Sequence, residues 1–258
     1  MIPRRRVWLF RLFRWYAARY VRRSFHAVRL SKSGHAFPPP DQPVLIVMNH
    51  PSWWDPMIGM VLSRTFAAGR DEFAAIDADA VKRYGFLSWL GFVAVDQSGM
   101  RGAAVFLQTG AAILSAPGRV YWVTAQGRFT DVRERPLGLR SGVGHLAARM
   151  TGGVVLPLAL EYTFWTERTP EALVRFGEPI RVTAHPGLSG RWWTQLIEAG
   201  LTRTLDALNA ETASRDPAKF ATLLDGRSGV GGVYDVWRRL KAWARGRKFD
   251  PSHGGKEP

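Results

Sequence analysis

The hydrophobic pattern switches between two periods along most of the chain. An unbroken apolar run in PVLIVMNH, stopping at Asn49 and His50, predicts a strand buried on both faces. DPMIGMVLSRTF then spaces its apolar residues at helical intervals, EFAAID returns to a strand, and ADAVKRYGFLSWLG to a helix. FVAVD, RVYWVTA, VVLPLALEY and EALVRFGEPI predict further strands, with helices over MRGAAVFLQTGAAILSA and RSGVGHLAARMTG between them. From Gly190, RWWTQLIEAGLTRTLDALNAETA predicts one long helix. Such alternation implies an α/β fold: a largely parallel sheet flanked by helices on both faces, with chemistry gathered at the carboxyl ends of strands.

Both ends break the alternation. The first 32 residues hold ten Lys or Arg and no acidic residue, interleaved with Trp8, Leu12, Trp15 and Tyr16 along one side of a helix. Pro38, Pro39, Pro40 and Pro43 follow as a rigid boundary. A second basic amphipathic stretch, VYDVWRRLKAWARGRKF, precedes a polar tail. The expected organisation is a basic amphipathic membrane-surface helix over 1–36, an α/β catalytic domain over 37–226, and a basic amphipathic helix with a disordered tail over 227–258.

Charge sharpens this picture. Thirty-six Lys and Arg against 21 Asp and Glu give a net charge of +15, which calls for an anionic partner, either an acidic membrane surface or nucleic acid. Neither an RNP aromatic pair nor a zinc finger is present, so a nucleic-acid partner is not expected. No apolar run reaches the roughly 20 residues of a membrane span, and the recurring arginines interrupt any secretory apolar region. The N-terminal helix is therefore read as lying on an anionic membrane surface, with packing of its aromatic face on the domain as the alternative. The absence of cysteine excludes disulfides, Cys-ligated zinc and a cysteine nucleophile.

Candidate chemistry sits where the first buried strand ends. His50 and Asp55 are five positions apart, which leaves them about 140° apart if both were helical. Pro51 prevents that, and Asp55-Pro56 suits an N-cap followed by proline at the first helical position. A tight turn between them brings the Asp55 carboxylate onto Nδ1 of His50 and leaves Nε2 free to take a proton from a hydroxyl. No Gly-x-Ser-x-Gly elbow supplies a nucleophile, so the substrate's own alcohol fills that role. With six His and twelve Asp in the chain, a His-x4-Asp spacing alone is weak, and a His50 bonded within the fold beside a merely capping Asp55 fits it equally.

Four ordered blocks add specificity. NHPSWWDP, GFLSWLGFVAVDQSG, YWVTAQGRFTDVRERP and VVLPLALEY, with Pro157 in the last, resemble the signature blocks of the lysophospholipid and glycerol-3-phosphate acyltransferase superfamily, and LRSGVGHLA resembles the segment after the third block. The resemblance spans roughly residues 40–180. It implies a membrane-associated O-acyltransferase in phospholipid synthesis, peripheral on the cytoplasmic face, with His50 as general base and Asp55 as its orienting partner. The donor it implies is acyl-CoA or acyl carrier protein as co-substrate, with no metal or redox cofactor, and the acceptor is lysophosphatidic acid or another lysophospholipid.

Two positions depart from that pattern. Gln126 stands in Ala125-Gln126-Gly127-Arg128-Phe129 where the family usually reads Pro-Glu-Gly-Thr-Arg, and Gln97 stands where the second block commonly ends in arginine. Gln126, Gly127, Arg128 and Gln97 are the candidate substrate-binding positions, joined by Arg133 and Arg135 as replacement phosphate ligands or as ordinary solvated arginines. His145 follows an apolar helical pattern and reads as a core or helix-face residue. A polar lipid without phosphate, a glycolipid, or a noncatalytic basic lipid- or nucleic-acid-binding protein on the same fold are the competing functions.

Overall fold

The computed structural model describes residues 2–96 and 99–228. Its nine strands are β1 (Ala27–Ser31), β2 (Val44–Met48), β3 (Asp71–Asp77), β4 (Phe92–Val95), β5 (Arg119–Thr124), β6 (Val154–Thr163), β7 (Glu171–Phe176), β8 (Ile180–Arg181) and β9 (Phe220–Asp225). They form one mixed sheet in the order β4-β3-β5-β2-β6-β7-β1-β9, with β8 paired to β6. The fold is α/β, as the alternation implies. β2 lies in the middle, parallel to β5 on one side and β6 on the other, which is why all five of its residues are buried.

Helices cover both faces. Leu45 and Val47 of β2 join the core with residues of α4 (Met100–Leu114), α5 (Gly142–Ala147) and α6 (Gly190–Ala213). Val44, Ile46 and Met48, on the opposite face, pack with Ile58, Val61 and Leu62 of α2 (Asp55–Phe66). The expected helix over residues 78–91 divides into a short α3 (Ala78–Arg83) and a 3-10 turn (Gly85–Leu90), because Gly85 interrupts it and Gly91 ends it at φ +93°.

The largest difference from the sequence reading lies at the N-terminus. The basic helix α1 (Val7–Ser24) is shorter than residues 1–36, and the chain then enters the sheet as β1, between β7 and β9. β1 and β9 were hidden because their burial comes from strands distant in sequence. The prolines therefore link two parts of one sheet. The expected C-terminal helix lies outside the described residues.

α1 presents two apolar faces. Phe10, Ala17 and Val21 pack inward, whereas Trp8, Leu12, Trp15 and Tyr16 stay exposed at 49–62% of their full area. Two polar contacts fasten the helix: Arg5 pairs with Asp71 at 2.7 Å, and Arg14 reaches Glu72, 4.0 Å away, on β3. Glu72 is buried, accepting hydrogen bonds from Ser63 Oγ at 2.7 Å and Trp122 Nε1 at 3.3 Å.

Burial pushes the Glu72 carboxyl up to about 7 from 4.5, against the pull of Ser63 and Arg14. The folded state thus holds this proton more tightly than the unfolded chain. Its contribution to stability is complete below pH 4.5 and is lost as pH rises through about 7. Relative to Glu72→Gln, the wild type is expected to lose about 3 kcal/mol of unfolding free energy across that window, measured by urea denaturation at stepped pH. Parallel pH profiles for the two proteins would contradict this assignment.

Candidate active site

The alternation of β2 aims His50. Side chains two apart share a face, so His50 continues the row of Val44, Ile46 and Met48 toward α2. Asn49 points the other way and is 1% exposed. Its Nδ2 donates to the Leu160 carbonyl at 2.9 Å and its Oδ1 accepts from the Leu160 N–H at 2.8 Å. Backbone pairing of β2 with β6 ends at Met48 and Leu158, so the Asn49 amide takes over the next step of the ladder. The chain at His50 is thereby released from the sheet while β6 stays satisfied.

His50 Nδ1 lies 2.5 Å from Asp55 Oδ2. A carboxylate only accepts, so Nδ1 carries the proton and Nε2 is left with a free lone pair. Asp55 is 1% exposed and takes two more hydrogen bonds, from the Ser52 N–H at 3.4 Å and from the Tyr162 hydroxyl at 2.7 Å. Burial pushes its pKa up, while His50 and Tyr162 hold it back toward the charged form. Burial and the adjacent Asp55 push the Tyr162 hydroxyl well above its ordinary value, so it remains a donor. α2 begins one residue earlier than the sequence suggested. Asp55 is its first residue, preceded by Trp54, whose indole has no acceptor to cap it, and the Asp55 carboxylate is committed to His50, Tyr162 and Ser52.

Gln126 follows β5 and is buried. Its Oε1 accepts from the His50 N–H at 2.9 Å and the Thr130 hydroxyl at 2.8 Å, and its Nε2 donates to the Leu137 carbonyl at 3.0 Å. Two donors meet the oxygen and one carbonyl meets the nitrogen, which fixes the amide orientation. This side chain braces the turn after β2 from behind and is not part of the cavity lining. A glutamate here would set a carboxylate oxygen against the Leu137 carbonyl, which gives a local reason for the neutral residue.

His50 and Asp55 stand at the mouth of a cavity of about 310 Å³. Gly127, Arg128 and Phe129 line the same mouth, with Gly127 at φ +66° turning the chain out of β5 and the Phe129 ring 4.4 Å from the His50 ring. Below, the walls are apolar: Met48, Met60, Phe73, Leu90 and Phe92, closed by Phe10 of α1. Gly59 of α2 also lines it, and a Cβ there would meet nothing within 4 Å.

The expected arginines divide. Arg128 reaches the cavity mouth and is ion-paired with Glu134. Arg133 forms a two-pronged pair with Asp131 at 2.8 and 2.7 Å, and Arg135 pairs with Asp206 of α6, both away from the cavity. Gln97 lies outside the described residues. His145 is exposed on α5 against Gly190, a helix-face position. Tyr162, Phe129 and Asn49 went unread in the sequence. Only Asn49, a polar residue ending an apolar strand beside His50, left a local signal.

A protein-family model described as Acyltransferase matches residues 29–161, slightly more than half of the chain. The matched span runs from β1 to β6 and contains His50, Asp55 and Gln126. No curated protein matches the chain.

Two variants probe this arrangement. Gln126→Glu is expected to destabilise the fold by about 2–3 kcal/mol near neutral pH, with the loss shrinking in acid as the introduced carboxyl protonates and donates to Leu137. Denaturation at two pH values checks this, and unchanged stability would contradict the assigned orientation. Tyr162→Phe removes one donor from Asp55 and is expected to lower kcat on the order of tenfold while moving the acid limb of the rate profile upward. A fall in rate with an unmoved limb would reduce Tyr162 to packing.

Proposed function

The chain belongs to the acyltransferase family, and from that premise we propose that it moves a fatty acyl group from acyl-CoA or acyl carrier protein to a lipid hydroxyl at a membrane surface. The observation that carries this reading is the Asp55-held His50 at the mouth of an apolar cavity. In this reading the apolar cavity takes the acyl chain and the thioester carbonyl lies beside Nε2 of His50. Nε2 takes the proton of the acceptor hydroxyl as its oxygen attacks the carbonyl carbon. The tetrahedral intermediate collapses with cleavage of the C–S bond, and the imidazolium returns the proton to the leaving thiolate. Asp55 stabilises the imidazolium while it lasts, and Tyr162 and Ser52 keep Asp55 charged and aimed.

The surface around the mouth supports membrane contact. A series of ring contacts runs from Phe86 through Phe13, Tyr16, Tyr20 and Trp54 to Trp53, whose own exposure is 58%. Trp8, Leu12 and Trp15 of α1 and Trp89 of the 3-10 turn are likewise exposed. Exposed arginines along α1, including Arg11, Arg19, Arg22 and Arg23, supply charge for acidic headgroups. No helix among the described residues is long and apolar enough to cross a membrane. Contact is thus proposed at the surface, with the active-site turn dipping beside α1.

Lysophosphatidic acid or a related lysophospholipid is the proposed acceptor, with Arg128 exchanging Glu134 for the lipid phosphate. A polar lipid without phosphate is a second reading, favoured by the internal ion pairs of Arg133 and Arg135.

The test supplies the purified protein with labelled acyl-CoA or acyl carrier protein in acidic vesicles containing a crude lipid extract, wild type beside His50→Ala. His50→Ala is expected to lower turnover on the order of 10²–10⁴-fold with unfolding unchanged. The mass of the product separates the two acceptors. Product formation independent of His50 would eliminate the mechanism.

A further inference from the structure

The floor of the cavity differs from its walls. An acyl chain entering past His50 meets apolar side chains along most of its path and then Glu72 and Ser63, both lining the cavity and both buried. These two are hydrogen-bonded at 2.7 Å, with Trp122 Nε1 on the second Glu72 oxygen at 3.3 Å and Arg14 Nη1 3.5 Å from Ser63 Oγ. The proposed reaction uses none of them. Each Glu72 oxygen already accepts one of these hydrogen bonds, and a terminal methyl group pressed against the cluster would strip water from the lone pairs that remain without replacing its hydrogen bonds, a cost that a polar group on the chain would avoid.

We propose that Glu72 and Ser63 form a hydrogen-bonding subsite at the cavity floor, and that the preferred acyl chain carries a hydroxyl at the carbon reaching it. The inference rests on reading the cavity as the acyl site. A hydroxyl both donates and accepts, so it can bridge the Ser63 hydroxyl and a Glu72 oxygen whether or not the carboxyl is protonated. With its pKa pushed up to about 7, that carboxyl is in part neutral near neutral pH, which lowers the cost of holding it beside hydrocarbon.

The fold also sets the depth. Asp55 at the mouth and Ser63 at the floor are eight residues apart on α2, about 12 Å along its axis. On the sheet side, Trp122 is level with Ile46, four residues before His50, or about 13 Å. The recognised hydroxyl therefore belongs near the far end of a medium-length chain, and not beside the thioester.

The experiment compares acyl-CoA donors of matched length, unsubstituted or hydroxylated at stepped positions toward the far end, with wild type, Ser63→Ala, Glu72→Gln and Glu72→Leu in vesicles containing the acceptor. For wild type, kcat/KM is expected to peak at one hydroxyl position, on the order of tenfold above the unsubstituted parent. The peak should shrink several-fold in Ser63→Ala, persist in Glu72→Gln, and give way to preference for the unsubstituted chain in Glu72→Leu. The wild-type profile and the mild Ser63→Ala change remain decisive if Glu72→Leu fails to fold. His50-dependent transfer with no preferred hydroxyl position, or a peak untouched by Ser63→Ala, would overturn the subsite alone. Absence of His50-dependent transfer from every donor would overturn the acyl-site reading and the subsite together.

Discussion

The end of β2 is the constraint on which the rest of the site depends. A central parallel strand has both edges occupied, so a residue leaving it must free itself from two ladders without orphaning the neighbours' backbone. On one side the Asn49 amide takes the N–H and carbonyl of Leu160. On the other, Gln126 accepts the His50 N–H, and the His50 carbonyl accepts from the Thr130 N–H at 3.0 Å. Two neutral amide side chains thus do the pairing that the backbone gives up. His50 is held by its main chain as well as by its ring at Nδ1, which turns Nε2 away from these contacts.

The same placement makes a buried carboxylate tolerable. Asp55 sits where the first turn of α2 meets the sheet, out of water, and burial alone would favour its neutral form. His50, Tyr162 and Ser52 converge on its two oxygens, and its place in the first turn of α2 adds the favourable end of the helix dipole. Gln126 meets the opposite demand. It has a carbonyl to satisfy as well as two donors, which an amide does and a carboxylate does not. Charge is used at the position that meets the His50 ring at Nδ1 and avoided at the one that meets its backbone N–H.

Local pattern carried the parts of this that depend on neighbours in sequence. The unbroken run of β2, the helix starting near Asp55 and the turn forced by Pro51 are all legible in the sequence, and in the structure they bring His50 and Asp55 together. What stayed hidden depends on contacts across long stretches of chain. β1 and β9 are short strands whose neighbours, β7 and one another, are more than a hundred residues away, and a five-residue AVRLS after a basic helix has no period of its own. Tyr162 reaches Asp55 from 107 positions away. The arginines of the 128–135 loop pair with Glu134, Asp131 and, from α6, Asp206, and such pairings are set by the folded path of the loop and not by any local pattern.

α1 joins the surface of the molecule to its interior. One face offers Trp8, Leu12, Trp15 and Tyr16 outward, while the other lends Phe10 to the cavity wall and Arg14 to the cluster on its floor. The cavity is complete only with this helix in place, since Phe10, Met60, Leu90 and Phe92 close it as one packed group. The exposed outer face thus belongs to an element wedged against the cavity, fastened by Arg5 to Asp71 and by Arg14 to Glu72. Removing the helix would open the floor to water and relieve the burial that raises Glu72, so the shape of the cavity and the burial of its floor both depend on one amphipathic segment.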